Sequence, residues 1–217
     1  MRNCFFSLAL LLAPLSAFSN EITWSQQENN RGLNIQIQTK RLLIRTIEPA
    51  DLPYFCALYG NPVVMAAFAK GTTRSAQQMT ERFNNSWMVR WRNGDPYSAM
   101  AVMLCKPDSE PAFIGTVVMG HGDLEGQSEL AFLLFPEYWE QGYGKEAVTA
   151  VVKCLAPMLV QKGYGPGGVP LKEIVATCRY DNIRSEKILR GLGMHEVGRH
   201  DQYGSERIFF SLPASEL

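Results

Sequence analysis

An apolar run, Leu130-Ala131-Phe132-Leu133-Leu134-Phe135, stops at Pro136; Gly142 and Gly144 follow within a few residues, and an apolar-periodic segment opens behind them. This order predicts a buried strand, a short loop and a helix. The two glycines let a ligand approach the backbone, and the free N–H groups at the helix start, with the helix dipole, favour an anion such as a phosphate. Read alone, the loop is equally a tight strand-to-helix turn without a ligand. It lacks the Lys-Ser/Thr of a P-loop and the third glycine of a dinucleotide fingerprint.

A second stretch, Thr177 to Met194, again reads as strand, cap and helix, with Asn182 a natural N-cap and Gly193 a natural stop. Together the two stretches resemble the GNAT acyl-CoA-dependent N-acetyltransferases. Trp139-Glu140-Gln141-Gly142-Tyr143-Gly144 looks like that family's pyrophosphate loop, and Asn182-Ile183-Arg184-Ser185 followed by Leu192-Gly193-Met194 looks like its second signature. Within the family the chain is most similar to the ribosomal-protein N-terminal acetyltransferase-like branch, through Pro136-Glu137-Tyr138-Trp139 and Thr39-Lys40-Arg41-Leu42-Leu43-Ile44-Arg45. The resemblance spans about Leu33 to Leu212.

At 217 residues the chain holds one well-buried domain. Lys+Arg 21 against Asp+Glu 21 leaves no net charge that would argue for nucleic acid or an anionic membrane as partner. Cys4, Cys56, Cys105, Cys154 and Cys178 contain no Cys-x-x-Cys pair, and His121, His195 and His200 are too scattered for a metal site. Small core residues and surface positions are the expectation, with no metal.

Residues 1–19 have the parts of a secretory signal: Arg2, an apolar run from Cys4 to Leu15, and the small residues around Ala17-Phe18-Ser19. They are too short for a stable membrane span. Export conflicts with the acetyl-CoA requirement that the resemblance implies, which favours the cytoplasm; both locations stay open. Residues 20–32 read as a polar linker, and 33–217 as a single acetyltransferase domain.

Within that domain the alternation at Ile35 and Ile37 and the run Leu42-Leu43-Ile44 predict strands, and Asp51 to Tyr59 a short helix. Ser75-Ala76-Gln77-Gln78 predicts a capping box, opening a helix whose Phe83, Trp87 and Trp91 stripe reads as core. A meander of strands, Tyr97 to Leu104, Ala112 to Met119 and Ser128 to Phe135, leads into the glycine loop. The helix from Gln141 is expected to kink or end early at Pro157. A strand at Ile174 to Arg179 and a closing hairpin through Gln202-Tyr203-Gly204-Ser205 complete a mixed, mostly antiparallel α/β order.

The resemblance implies a twisted sheet flanked by helices, with acetyl-CoA in the gap between two splayed central strands. Backbone groups near Leu133 and Leu134 would hold the pantetheine and polarise the thioester carbonyl. The amides of Gln141, Gly142, Tyr143, Gly144, Lys145 and Glu146 would take the pyrophosphate, with Asn182 fixing the cofactor arm or serving as a plain cap. Attack by a neutral amine needs a base for the substrate ammonium and an acid for the leaving thiolate. Glu129 is the expected base and Ser185 the expected acid; a solvated strand-end Glu and a helix-surface Ser are the plainer readings. Some relatives carry a Tyr seven residues after the Asn and a Glu five residues before it, where this chain has Leu189 and Thr177. The function expected is direct acetyl transfer to a primary amine, on a protein N-terminus or a small molecule, without a covalent enzyme intermediate. A non-catalytic acyl-CoA-binding module on the same fold is the alternative, and a homodimer is left open.

Overall fold

The structure, a computed structural model, describes residues 20–26 and 32–217. The signal-like segment 1–19 lies outside the described residues. Nine strands form one sheet: β1 (Glu21–Gln26), β2 (Leu33–Gln38), β3 (Leu42–Thr46), β4 (Ala99–Leu104), β5 (Ala112–His121), β6 (Gln127–Leu134), β7 (Glu173–Arg179), β8 (His195–Gln202) and β9 (Ser205–Pro213). Their order is β1-β2-β3-β4-β5-β6-β7-β9-β8, antiparallel except where β6 meets β7. The mixed α/β sheet flanked by helices is thus the expected fold class.

The expected polar linker is corrected over its first part, because Glu21–Gln26 pairs with β2 from Glu21↔Gln38 to Gln26↔Leu33. Its polar composition hides a period-2 pattern in which Ile22 and Trp24 turn toward the core. The Trp24 ring lies 5.3 Å from that of Tyr164 and beneath the Lys162 ammonium at 5.5 Å. A strand with one half-buried face needs no more than that.

The helices α1 (Leu52–Gly60), α2 (Pro62–Met65), α3 (Ala76–Arg82) and α4 (Met88–Arg92) pack one above another, the last two joined by a π turn at Phe83–Trp87. Ser75 and Gln78 form the expected reciprocal capping box. The aromatic stripe is core: Phe55 lies 5.2 Å from Phe83 and 5.6 Å from Trp87, and the Trp91 indole donates to Ala99 O at 2.8 Å.

The helix after the glycine loop runs as α5 (Tyr143–Ala150), a π turn (Val151–Leu155) and α6 (Ala156–Gln161). Pro157 therefore does not end it. The wider π turn just before the proline accommodates a residue that has no N–H to donate and whose ring would crowd the preceding turn. Val148, Val151, Val152, Leu155 and Leu159 are all buried, so the predicted apolar face stays continuous. The last helix, α7 (Ile183–Gly191), is followed by Gly193 at φ +86°.

Two details of the sheet position the site. A Cβ on Gly115 would stand 2.1 Å from Leu133 O, so β5 and β6 approach there as only glycine permits. On its other side β6 pairs with β7 only at Gln127↔Glu173, Ser128↔Ile174 and Glu129↔Val175, after which the strands part.

Candidate active site

A cleft of about 610 Å³ opens where β6 and β7 separate. From Leu130 onward β6 has no strand partner on that edge, and alternate backbone N–H and C=O groups point into the gap. The end of β6 leads to α5 and the end of β7 to α7, so the N-termini of both helices stand at the cleft.

The α5 junction is held open by its own sequence. Glu140 and Gly142 have φ +60° and +81°, and Gly142 offers no side chain to cap the helix. Glu146 N–H makes the first helical bond, to Gly142 O at 3.0 Å, which leaves the N–H groups of Tyr143, Gly144 and Lys145 ahead of it without an intrahelical acceptor. Those groups, at the positive end of the helix dipole, suit an anion.

Arg41 braces this turn from β3's side. Its Nε donates to Glu146 Oε2 at 2.7 Å, its Nη1 to Gln141 O at 2.9 Å, and its guanidinium lies 4.3 Å over the Tyr143 ring. Thr39 Oγ1 and Arg41 N–H both reach Glu146 Oε1, at 2.7 and 2.9 Å. Burial opposes ionisation of Glu146, but these bonds outweigh it and hold the carboxyl below its ordinary range. On the other flank Arg184 stacks 5.0 Å over Trp139 and pairs with Glu140 at 2.9 Å, and the Trp139 indole donates to Leu134 O at 2.8 Å.

The α7 junction is closed: Asn182 Oδ1 accepts from Ser185 N–H at 3.2 Å. Asn182 and Ser185 still line the cleft, as do Glu129, Leu133, Leu134 and Gly142, together with Gly144 and Lys145. Gln141, Tyr143 and Glu146 do not; their side chains face the turn and β3.

Glu129 stands exposed in the open cleft. The walls nevertheless exclude enough water to push its carboxyl above the usual carboxylate range; Asp123 adds to the rise, and Arg82 and Arg207 oppose it. Cys178 also faces the cleft, with its thiol pushed up to about 11 by burial and by the charge of Glu186. It is protonated at neutral pH and a poor nucleophile. Among the described residues no cluster of His, Cys, Asp or Glu is built to hold a metal, and no helix is long and apolar enough to cross a membrane.

The model of the acetyltransferase (GNAT) domain matches residues 41–195, and the chain belongs to that family. It is therefore an acyltransferase. It is 28% identical over 164 residues to an uncharacterized N-acetyltransferase, YnaD, of Bacillus subtilis, covering 76% of this chain and 85% of that one. Among solved structures it is similar to the ribosomal-protein-S5-alanine acetyltransferase of Vibrio fischeri, with TM-score 0.65 at 16% identity, over 83% of this chain and 97% of the other. It is likewise similar to the spermidine N-acetyltransferase of Vibrio cholerae in complex with CoA and spermine, with TM-score 0.62 at 16% identity, covering 81% and 96%. The likeness to the ribosomal-protein branch expected from Pro136-Glu137-Tyr138-Trp139 is among these.

Sequence reasoning missed the arginines of the cleft. Arg207 on β9 is 4% exposed, its Nε donating to Thr177 Oγ1 at 3.0 Å and its Nη2 to Thr177 O at 3.1 Å. The available signal was a charged residue opening the otherwise apolar run Ile208-Phe209-Phe210. Arg74, Arg82 and Arg90 come from the α2–α3 connection, α3 and α4, where helical periodicity gave no sign that they share a cavity with β6.

Proposed function

We propose that this acyltransferase moves the acetyl group of acetyl-CoA directly onto a primary amine. The observation that carries the reading is the parting of β6 and β7 beyond Glu129, with an uncapped glycine-initiated helix at the end of the gap. The open N–H groups of Tyr143, Gly144 and Lys145, with the Lys145 ammonium, suit the pyrophosphate. The β6 backbone near Leu133 and Leu134, which has no strand partner on the gap side and of which Trp139 holds only Leu134 O, suits the pantetheine amides. The solved spermidine acetyltransferase, which shares the fold, holds CoA.

Acetyl-CoA, when bound, supplies the activated acetyl thioester. Glu129 takes a proton from the acceptor ammonium, helped by a carboxyl held above the usual carboxylate range. The freed amine attacks the carbonyl carbon, the C–N bond forms and the C–S bond breaks. Backbone N–H groups of β6 stabilise the oxyanion that develops, and Ser185 passes a proton to the departing sulfur and regains one from the nitrogen, which sheds its second proton to become the amide. Asn182 orients the arm through its amide N–H₂ while its oxygen caps α7. Burial keeps Cys178 protonated, in line with direct transfer.

The test is acetyl-CoA-dependent release of CoA thiol by the purified full chain across peptides, polyamines, aminoglycosides and amino acids. Release that depends on one amine class is the expected outcome. Tight binding of acetyl-CoA with no amine-dependent release would reject the transfer reading, and no binding would reject the cofactor site.

A further inference from the structure

We infer that the acceptor carries a carboxylate near its amine, and that Arg207, backed by Arg82 and Arg90, receives it. This deepens the transfer reading and rests on it. Arg74, Arg82, Arg90 and Arg207 all line the cleft, and among the described residues none has a carboxylate within ion-pair distance. Arg41, Arg45, Arg179, Arg184, Arg190 and Arg199, by contrast, are each paired with one. Of the described arginines without an ion-pair partner, all but Arg92 are thus gathered in one cavity.

Arg207 is the sharpest case. Two of its three nitrogens are fixed on Thr177, and Nη1 is buried with no hydrogen-bond partner. Arg74 Nε is orphaned in the same way. A buried cation with an unused donor is costly unless an anion completes it, and the planar guanidinium matches a carboxylate. Thr177 makes this arrangement available. A Glu at that position, as some relatives carry, would neutralise Arg207; a Thr orients the guanidinium and leaves it without an ion-pair partner.

The surroundings favour a zwitterion. The nearby carboxylates are Glu129, assigned to the amine, Asp123, and Asp95, which is held by His121 Nε2 at 2.7 Å. Arg90 Nη1 donates to Tyr97 O at 3.0 Å and lies 3.8 Å from where a Cβ of Gly120 would stand, on the residue paired with Glu129. Arg82 stacks 5.0 Å over Trp87. The Tyr203 ring, at the exposed hairpin tip, stands 5.6 Å from the Arg207 guanidinium and lines the same cleft. A polyamine would set positive charge against this wall, whereas a free amino acid or a peptide N-terminus followed by an acidic residue would match it.

The experiment compares matched acceptors with the full chain. Free amino acids are set against their amides, and peptides beginning Ser-Glu against Ser-Gln, with spermidine as the cationic control. Masking the carboxylate should lower kcat/KM by about tenfold to a hundredfold, the range for a hydrogen bond to a charged group. The amino-acid arm and the peptide arm tell which source supplies the carboxylate. Arg207→Met should collapse the ratio within each pair and Arg207→Lys should keep part of it. Arg82→Gln, on an exposed side chain, should reduce the ratio without risk to folding. Equal turnover of acid and amide, or preference for spermidine, would overturn the inference and leave the transferase intact. Calorimetry with the corresponding N-acetyl amino acids and their amides separates the two readings when no release is seen. Binding of the acid alone, lost in Arg207→Met, would sustain the anion site while the transfer reading fell; equal or no binding would overturn both.

Discussion

The two strand–helix junctions at the cleft are built alike and finished differently. Each carries a strand into a helix N-terminus at the gap, yet Asn182 closes the N-terminus of α7 with its own oxygen, while Gly142 leaves that of α5 bare. A helix wanted only as a support satisfies its first donors from within the chain. One that leaves them open, behind a left-handed glycine braced by Arg41, is prepared for an anion from outside. On the proposed reading, the difference separates the junction that serves mainly the fold from the one that serves the ligand.

Glu129, the last paired residue before the junctions part, gives the largest expected effect. Glu129→Gln should lower kcat by about a hundredfold or more and remove the acid limb of the pH–rate profile. In the parent that limb lies above ordinary carboxylate values, because activity needs the ionised form and burial raises the pKa. The same raised pKa makes ionisation costly to the fold above the unfolded pKa, so Glu129→Gln should be at least as stable as the parent at pH 7. Unchanged turnover with unchanged stability would reduce Glu129 to a solvated strand end.

Gly142→Glu attacks the open junction. A left-handed φ that a side chain resists, a Cβ 3.3 Å from Arg41 Nη2 and an added negative charge should weaken acetyl-CoA binding about tenfold to a hundredfold by calorimetry. Undiminished affinity would remove the contrast between the junctions.

Glu146→Gln should destabilise the fold by about 1–2 kcal/mol at pH 7, the scale of a charged hydrogen-bond set at a half-screened site. Its folded pKa is depressed, so the stabilisation is present above the unfolded value of about 4.3 and is lost as pH falls through the folded one. Urea midpoints of parent and variant should therefore converge in acid. Curves that stay parallel would show that the Thr39–Arg41–Glu146 brace does not act through charge.

The smallest effect is at the closed junction. Asn182→Ala should cost about 1 kcal/mol of stability by thermal melting, whereas Asn182→Asp keeps an accepting oxygen and should melt like the parent. Lost acetyl-CoA affinity in Asn182→Asp alone would assign the amide N–H₂ to the ligand; parental affinity in both would leave Asn182 a cap only.

The sequence by itself determined whatever depends on local chemistry. Gly142, Asn182, Ser75 with Gln78, and the Tyr203-Gly204 turn act within a few residues of themselves, and so did the apolar periods that chose strand or helix. Tertiary structure decided the rest. The strand at Glu21–Gln26 exists because β2 and Tyr164 await its two apolar residues, and Pro157 is tolerated because a π turn widens the helix before it. The brace of Glu146 by Thr39 and Arg41, and the gathering of Arg74, Arg82, Arg90 and Arg207 opposite Glu129, join residues far apart in the chain. Which charges meet across a cavity is set by how elements pack, and no local pattern encodes it.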